Sequence, residues 1–504
     1  VYVDGGDNDD NIYVTDVTAT LPGAIPDLPD TTQRTTPTGS VDLIDALLDV
    51  DGGTGSDQMY VDGSDTAAQG SSATLTPTTL NGMNLSPAGI VYDNLDGLTI
   101  WMDAGNNTMT VNDTHETTTS IYMSDGTDTV DVNDASGILT VYGEEAADIF
   151  NVLKTNPGST LNLRGNEDTD TFNISSAAPT RPQYGDYPAG AGPPGTDDYA
   201  LTPLVADTHG IIDAIDGLVD IDGGSEADQL NIDDSANPDA KRGTLTSNTL
   251  RGMGMPEGVN YTNLEDLNLW LGTQSDTLYV VSTHGGTTQI YGGDGITGIA
   301  DDLTGTPERD DTIAINTIGG ITTVYGQGGN DLMLVNVEEA TPGGEFVRTH
   351  VNGVSTAVLN LTGNGGSDEY VINLSGLDTA VINVHDYGTP NDGVDRLTIN
   401  GADDPDAAPG DNDDTFLLRK DFVALLNKSA GATEFNQVER VNYDQNINER
   451  LVVNGLGGDD RFVADDNSAT TTLDGGDGED QFQIGQIFAT LRTVDAANIA
   501  EGDE

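Results

Sequence analysis

The chain has 504 residues, of which 17 are Lys or Arg and 85 are Asp or Glu, so its formal net charge is -68. This balance excludes nucleic acid as an expected partner, because phosphate binding demands basic patches, and only four Lys are present. No run of about eighteen apolar residues occurs, so we expect no direct insertion into a membrane. The absence of Cys excludes a disulfide framework.

Along the chain, a ten-residue pattern of glycines, one acidic residue and spaced apolar residues recurs. From Gly52 to Val61 it reads Gly-Gly-Thr-Gly-Ser-Asp-Gln-Met-Tyr-Val, and from Gly475 to Ile484 it returns almost unchanged. Glycine adopts a positive φ at no steric cost, and apolar residues two positions apart lie on one face of a strand. Each copy therefore predicts a tight turn that leads into a short β-strand.

Aligned on its acidic position, the pattern occurs fifteen times, and fourteen of these anchor residues are Asp. In chain order the anchors are Asp10, Asp57, Asn107, Asp128, Asp148, Asp170, Asp228, Asp276, Asp311, Asp331, Asp368, Asp395, Asp414, Asp460 and Asp480. Many intervals are 20–22 residues, which we interpret as one coil of a solenoid. Intervals of 46–50 residues, such as Asp10 to Asp57, are interpreted as two coils, one of them without the motif.

A longer repeat is superimposed on the short one. Residues 74–83 parallel residues 244–253, 170 positions later, and both segments lead to one of the two tryptophans. A weaker echo occurs at 438–443. We therefore expect one continuous solenoid. Its parts are 1–56 (the end of a preceding superrepeat), 57–227 (superrepeat 1), 228–413 (superrepeat 2) and 414–504 (the start of superrepeat 3). Inserts rich in Pro and Gly at 21–39, 178–198, 297–308 and 403–410 predict surface loops.

The short motif resembles the calcium-binding repeat of RTX proteins, Gly-Gly-x-Gly-x-Asp-x-U-x, in which U is a large apolar residue. The resemblance covers nearly the whole chain. It implies an all-β fold, a right-handed parallel β-helix or β-roll solenoid with loop insertions and about twenty coils. Because the chain opens within a repeat and without Met, we also expect a processed product or an excerpt of a longer chain.

Multiple Ca²⁺ ions are the cofactor that this resemblance implies. Glycine turns expose backbone carbonyls beside an Asp carboxylate, and calcium takes six to eight such oxygens. The expected metal ligands are the fourteen Asp anchors listed above, together with turn carbonyls at Gly53, Gly55, Gly476 and Gly478. Asn107 departs from the motif and is not among them. Because only 35% of the residues are hydrophobic, we expect calcium to contribute much of the folding free energy.

These features together predict a secreted, extracellular, calcium-binding structural protein and not an enzyme. We expect a rigid rod or filament at the cell surface, as a fibre, surface layer, biofilm matrix or adhesin stalk. The expected partners are further copies stacked head to tail, and a cell-surface polysaccharide is a second candidate.

Two alternatives stay open. The repeats could form a calcium-folded accessory or secretion module of a toxin or of a carbohydrate-active enzyme, such as a lyase or epimerase. The acidity could also reflect a surface adapted to brine. His115 and His284 each follow an anchor by eight residues, which favours a turn position over catalysis. Trp101 and Trp270, with Tyr92 and Tyr261, could stack on sugars, although equivalent core or ladder sites are favoured.

Overall fold

The computed structural model describes residues 1–15, 39–42, 44–64, 70–179, 210–293, 311–336, 357–376, 379–386, 393–402, 413–428 and 432–485. Apart from residues 39, 178 and 179, the four predicted inserts lie outside these ranges. All regular structure within the ranges is β-strand, which confirms the all-β prediction. The same ranges contain no helix that could cross a membrane.

The described residues divide into two compact units. Unit 1 contains those up to Leu269 other than 238–247, and unit 2 contains 238–247 and those from Trp270 onward. The strands of unit 1 are β1 Tyr2–Asp4, β2 Asn11–Val14, β3 Leu48–Asp51, β4 Gln58–Asp62, β5 Ser72–Thr76, β6 Thr79–Gly82, β7 Ile90–Asp93, β8 Gly97–Trp101, β9 Thr108–Val111, β10 Thr118–Tyr122, β11 Thr129–Val132, β12 Ile138–Glu144, β13 Ile149–Val152, β14 Thr160–Asn166, β15 Thr171–Ile174, β16 Leu218–Gly224, β17 Gln229–Asp233, β19 Thr249–Gly252, β20 Met255–Thr262 and, at its boundary, β21 Asp266–Trp270.

The strands of unit 2 are β18 Arg242–Leu245, β22 Thr277–Val280, β23 Thr287–Tyr291, β24 Thr312–Ile315, β25 Ile321–Gly328, β26 Leu332–Val335, β27 Leu359–Gly365, β28 Glu369–Asn373, β29 Ala380–Val384, β30 Arg396–Asn400, β31 Thr415–Arg419, β32 Phe422–Asn427, β33 Gln437–Tyr443, β34 Arg450–Asn454, β35 Arg461–Ala464, β36 Thr471–Asp474 and β37 Gln481–Ile484.

Each unit contains two long, mostly parallel sheets between which the chain alternates. In unit 1, sheet I runs β1-β3-β7-β6-β5-β9-β11-β13-β15-β17. Sheet II runs β2-β4-β8-β10-β12-β14-β16-β20-β19. In unit 2, sheet III runs β23-β25-β27-β29-β33-β32-β31-β35-β37. Sheet IV runs β18-β22-β24-β26-β28-β30-β34-β36. This is a β-solenoid-like architecture.

The core follows from the period of two along each strand. In β10, for example, Thr119 and Ile121 are buried while Ser120 and Tyr122 between and after them are half-exposed. Because the strands pair in parallel and in register, like residues stack on like residues. The rings of Phe150 and Phe172 stack with their centroids 4.9 Å apart. Such rows of identical side chains fill the narrow interior without long helices.

Short coils have the expected length, because Thr129 pairs with Ile149, 20 residues later. The prediction of two coils between Asp10 and Asp57 is, however, wrong. Strands β2 and β4 are hydrogen-bonded neighbours, and Asn11 pairs with Gln58. The additional residues therefore enlarge one coil and place no strand of sheet II between β2 and β4.

Three-stranded segments interrupt the regular coils. In unit 1, β5, β6 and β7 are consecutive and antiparallel within sheet I, and in unit 2 the same holds for β31, β32 and β33 within sheet III. The first segment follows Asp57 and its strand β4, and the other follows Asp395 and its strand β30. In the order of strands, Asp395 therefore corresponds to Asp57, because each precedes the strand that comes just before a three-stranded segment. Asp414 instead directly precedes β31, the first strand of such a segment.

Candidate metal site: the aspartate ladders

The anchor residues lie in turns, each immediately before a strand, and their side chains are turned inward. The twelve Asp anchors between Asp10 and Asp480 are all no more than 6% exposed. Asp10 and Asp480, in the outermost coils described, are half-buried. A carboxylate is rarely buried to this degree without a partner, so the contacts of these groups decide what the turns can bind.

Neighbouring anchors are joined by hydrogen bonds from the backbone of one to the side chain of the next. The N–H of Asp128 donates to Oδ1 of Asp148 at 2.7 Å, the N–H of Asp148 donates to Oδ1 of Asp170 at 2.8 Å, and the N–H of Asp170 donates to Oδ1 of Asp228 at 2.8 Å. We call such a row an aspartate ladder. It satisfies one backbone donor and one carboxylate oxygen in every coil.

Four ladders occur in the described residues. In unit 1 they are Asp10–Asp57–Asp96 and Ser71–Asn107–Asp128–Asp148–Asp170–Asp228–Glu265. In unit 2 they are Lys241–Asp276–Asp311–Asp331–Asp368–Asp395–Asn448 and Asp414–Asp460–Asp480. All fifteen predicted anchors belong to a ladder.

Sequence analysis missed the residues at the ladder ends. Ser71 and Lys241 donate a backbone N–H to the first anchor of their ladders, and Ser71 also donates its hydroxyl. At the other ends, Asp96, Glu265 and Asn448 accept through their side chains. Asp96 and Glu265 occupy matching places in the long repeat, two residues after Asn94 and Asn263. That correspondence, rather than the short motif, is the signal that could have identified them.

The ladders change sheets at the three-stranded segments. In unit 1 the ladder of Asp10 and Asp57 precedes strands of sheet II, and the ladder of Asp128 precedes strands of sheet I. In unit 2 the ladder of Asp276 likewise precedes strands of sheet IV, and the ladder of Asp460 precedes strands of sheet III. Within each unit, the row of carboxylates thus changes from one sheet to the other.

The second carboxylate oxygen of many anchors has no hydrogen-bond partner. Buried Oδ2 atoms without one belong to Asp57, Asp128, Asp148, Asp170, Asp228 and Asp460. At four of these anchors, Asp148, Asp170, Asp228 and Asp460, Oδ2 lies next to the first glycine of the same turn. For example, a Cβ added to Gly165 would lie 2.1 Å from Oδ2 of Asp170 and 2.2 Å from the carbonyl oxygen of Gly223. The first glycine therefore makes room for the carboxylate and for the next turn.

Asn107 shows what surrounds this second position. Its Oδ1 accepts a hydrogen bond from the N–H of Ser71 at 2.8 Å, as an Asp anchor would. Its Nδ2 donates to the carbonyl oxygens of Asp103 and Met123 at 2.6 and 3.1 Å. At the Asp anchors an oxygen replaces this nitrogen. Oxygen then faces oxygen unless a proton or a cation lies between them.

The electrostatics agree with this geometry. Burial raises the pKa of Asp128 to about 9, that of Asp148 to about 7 and that of Asp170 to about 8, and the hydrogen bond from the preceding backbone N–H offsets only part of the effect. Burial also raises the pKa of Asp414 to about 8 and that of Asp460 to about 6. At neutral pH, ladder carboxyl groups with raised pKa values thus hold protons when no cation is bound, and a divalent cation can replace these protons.

The donor set fits a hard cation. The turns offer carboxylate and backbone carbonyl oxygens, and the sequence has no Cys thiolate; oxygen ligands of this kind suit Ca²⁺. The predicted carbonyl residues Gly53, Gly55, Gly476 and Gly478 all have φ between 86° and 144°. A Cβ at Gly53 would lie 2.1 Å from the carbonyl oxygen of the neighbouring Gly6. These glycines are thus required both by conformation and by the close stacking of turns.

One turn carries an additional carboxylate. Oxygen atoms of Asp368, Asp386 and Asp395, all buried, lie within 4.8 Å of one another. Val384 pairs with Leu361, so Asp386 stands where the preceding coil has Gly363. The motif was not expected to place an acidic residue there. An acidic side chain in the place of the first glycine brings three carboxyl groups together at this turn.

The aromatic and histidine candidates occupy packing positions. His115 contacts Tyr92 edge-on, with ring centroids 6.2 Å apart, and His284 accepts a hydrogen bond from the N–H of Gly286 within its own turn. Burial lowers the pKa of His115. Trp101 stacks on Tyr122 with ring centroids 5.7 Å apart, and Trp270 stacks on Tyr291 with ring centroids 5.2 Å apart. His209 and His350 lie outside the described residues.

No protein-family model matches this chain, and no curated protein does either. The resemblance to the RTX repeat is therefore carried by the motif residues themselves.

Proposed function

We propose that this chain is a secreted, extracellular structural protein of the RTX type, a rigid rod whose turns bind Ca²⁺. The coils are right-handed and number about twenty over the whole chain. The rod serves as part of a fibre, surface layer, biofilm matrix or adhesin stalk, and a cell-surface polysaccharide is a candidate ligand of such a stalk.

The buried ladder carboxylates with an unpartnered Oδ2 are the observation that supports this proposal most strongly. Asp128, Asp148 and Asp170 are at most 1% exposed and stack at neighbouring turns. An ionised carboxylate in such a place is costly unless a cation neutralises it. A chain that carries a formal charge of -68 has the same need over its whole surface. Cation binding would neutralise both the buried carboxylates and part of the net negative charge.

Calcium would be held by the Asp anchors and by the carbonyl oxygens of the glycine turns, including Gly53, Gly55, Gly476 and Gly478. When bound, it would supply positive charge between neighbouring turns and would clamp successive coils. Folding would thereby become linked to calcium concentration.

The likeness of two described coils supports head-to-tail association. Residues 475–484 repeat the pattern of 5–14, with Asp480 at the place of Asp10. The side chains of Phe482 and Ile484 are 50% and 65% exposed. We expect β37 of one copy to pair with β2 of the next, so that the N–H of Asp480 donates to Oδ1 of Asp10. Phe482→Arg should then abolish filaments in negative-stain images without lowering calcium affinity.

The deciding experiment is a calcium titration of chelated protein followed by far-ultraviolet circular dichroism, with Mg²⁺ as the control ion. A cooperative gain of β signal with Ca²⁺ and none with Mg²⁺ is the expected result. An unchanged β spectrum in chelator, together with no heat of calcium binding by calorimetry, would overturn the proposal. A requirement for high monovalent salt in place of calcium would instead identify a surface adapted to brine.

A further inference from the structure

A row of stacked aromatic rings lies on the outward face of sheet II in unit 1. It consists of Tyr13, Tyr60, Trp101, Tyr122 and Tyr142. Successive ring centroids are 5.0, 6.3, 5.7 and 4.6 Å apart, and interplanar angles are 18° or less. Tyr13 is 38% exposed and the others are half-exposed.

This arrangement is ill suited to sugar binding. A sugar stacks on the open face of an aromatic ring, whereas here each internal ring has both faces covered by its neighbours along the row. What the row presents to solvent is the edges of its rings. The phenol O–H group and the Cε carbons beside it, at which phenoxyl radicals couple, lie on these edges.

The closest pair is also the best aligned. Tyr122 and Tyr142 are register partners on the parallel strands β10 and β12. Their centroids are 4.6 Å apart, and their ring planes differ by 5°. Tyr13 and Tyr60 are register partners on β2 and β4, with centroids 5.0 Å apart. The fold therefore holds pairs of phenols side by side that lie 20 and 47 residues apart in the chain.

We propose that the in-register tyrosine pairs are sites of oxidative dityrosine cross-linking, with hydrogen peroxide and a haem peroxidase as the oxidising system. Each phenol of a pair loses one electron and one proton. The two phenoxyl radicals then couple through a new bond between their Cε carbons, and each ring regains its aromaticity and its phenol O–H as its Cε proton is transferred to the oxygen. The two electrons and two protons released overall convert one hydrogen peroxide into two molecules of water.

Such a bond would join neighbouring coils covalently. The linkage between Tyr122 and Tyr142 would close a loop of one coil and would oppose its unwinding independently of any cation, as other cross-links constrain an unfolded chain. Trp101 stands between the two tyrosine pairs, stacked on Tyr122. An electron can therefore pass from a tyrosine of one pair through Trp101 to an oxidised tyrosine of the other pair.

Unit 2 supplies an independent pair and a control. Tyr291 and Tyr325 are register partners on β23 and β25, with centroids 5.0 Å apart and planes 11° apart. Tyr279 is half-exposed as well, yet its ring is covered by the guanidinium of Arg242, 4.7 Å from the centroid. The inference thus predicts a linkage for the first pair and none for Tyr279.

The test is limited oxidation of dilute, folded protein by peroxidase and hydrogen peroxide, followed by proteolysis and mass spectrometry. We expect cross-linked peptides, each two hydrogens lighter than its parts, that join Tyr122 to Tyr142 and Tyr291 to Tyr325 within one chain. Tyr122→Phe should abolish the first linkage and preserve the second, which serves as the internal control for folding. Linkages of Tyr279 as abundant as those of the stacked pairs, or products formed only between chains, would overturn the inference.

Discussion

Replacement of Asp148 by Asn should change stability in opposite directions depending on calcium. Asp148 Oδ1 accepts the N–H of Asp128, and an Asn side chain keeps that acceptor. Its amide nitrogen then takes the place of the unpartnered Oδ2. Asn107 already shows this solution in the same ladder, where Nδ2 donates to two carbonyl oxygens. Without cations the substitution should therefore be stabilising.

The magnitude follows from the pKa of Asp148, which burial raises from 3.8 to about 7. Each pKa unit corresponds to about 1.4 kcal/mol. Ionised Asp148 therefore costs about 4 kcal/mol well above pH 7, and Asp148→Asn should recover a large part of this in chelator. In saturating calcium the same change removes a ligand charge, so the variant should be less stable than the parent protein.

The assay is urea unfolding at pH 8, in chelator and in calcium, with Asp125→Asn as the matched control. Asp125 is an exposed acidic residue in the neighbouring turn, so its replacement removes the same charge and leaves the ladder hydrogen bonds in place. We expect a change near zero for the control. A loss of stability in Asp148→Asn of equal size with and without calcium would refute the reasoning.

Three further outcomes follow from the ladders and the close stacking of coils. Burial raises the pKa values of Asp128, Asp148 and Asp170 in the folded protein, so the contribution of these carboxyl groups to folding stability is complete below about pH 4 and is lost as pH rises toward 9. The melting temperature in chelator should therefore fall over that range, and a flat profile would argue against buried ionisable ladders. Gly165→Ala should destabilise by about 1–3 kcal/mol, because its Cβ would meet a carboxylate and a backbone carbonyl, whereas Gly285→Ala, with open space around the new Cβ, should be nearly neutral in the same urea titration. Asn173 donates to Asn151 at 2.9 Å and accepts from Asn231 at 3.0 Å; Asn173→Ala should cost about 1–3 kcal/mol by leaving buried partners unsatisfied, and calorimetry showing no loss would mean that this row of amides does not contribute to stability.

Much of the strand pattern could be predicted, because glycine turns and alternating apolar residues act locally. Fifteen anchors were aligned from the sequence, and all of them occupy equivalent turn positions in the ladders. What local pattern could not reveal is how coils pair when their lengths differ. The interval from Asp10 to Asp57 predicts two coils, yet the strands that follow these anchors, β2 and β4, are hydrogen-bonded neighbours.

The candidate site was predictable in its residues but not in its geometry. The motif indicates an Asp beside glycine carbonyls, and it does not say that Oδ1 is engaged by the preceding anchor while Oδ2 faces inward. That arrangement depends on a partner one coil away, as between Asp148 and Asp170. Asp386 shows the same limit, because only strand pairing between coils reveals that it occupies the position of Gly363 in the preceding coil.

The ladder hydrogen bonds also give the rows a direction. In every one of them the backbone donor belongs to the anchor earlier in the chain and the side-chain acceptor to the later one, from Asp10 donating to Asp57 through to Asp460 donating to Asp480. Within the described residues, Asp10 is the first anchor of its row and Asp480 is the last anchor of its row. A row built this way is vectorial: two identical ends brought together present donor to donor or acceptor to acceptor. Any assembly that continues the rows must be polar, with a growing end chemically distinct from the other.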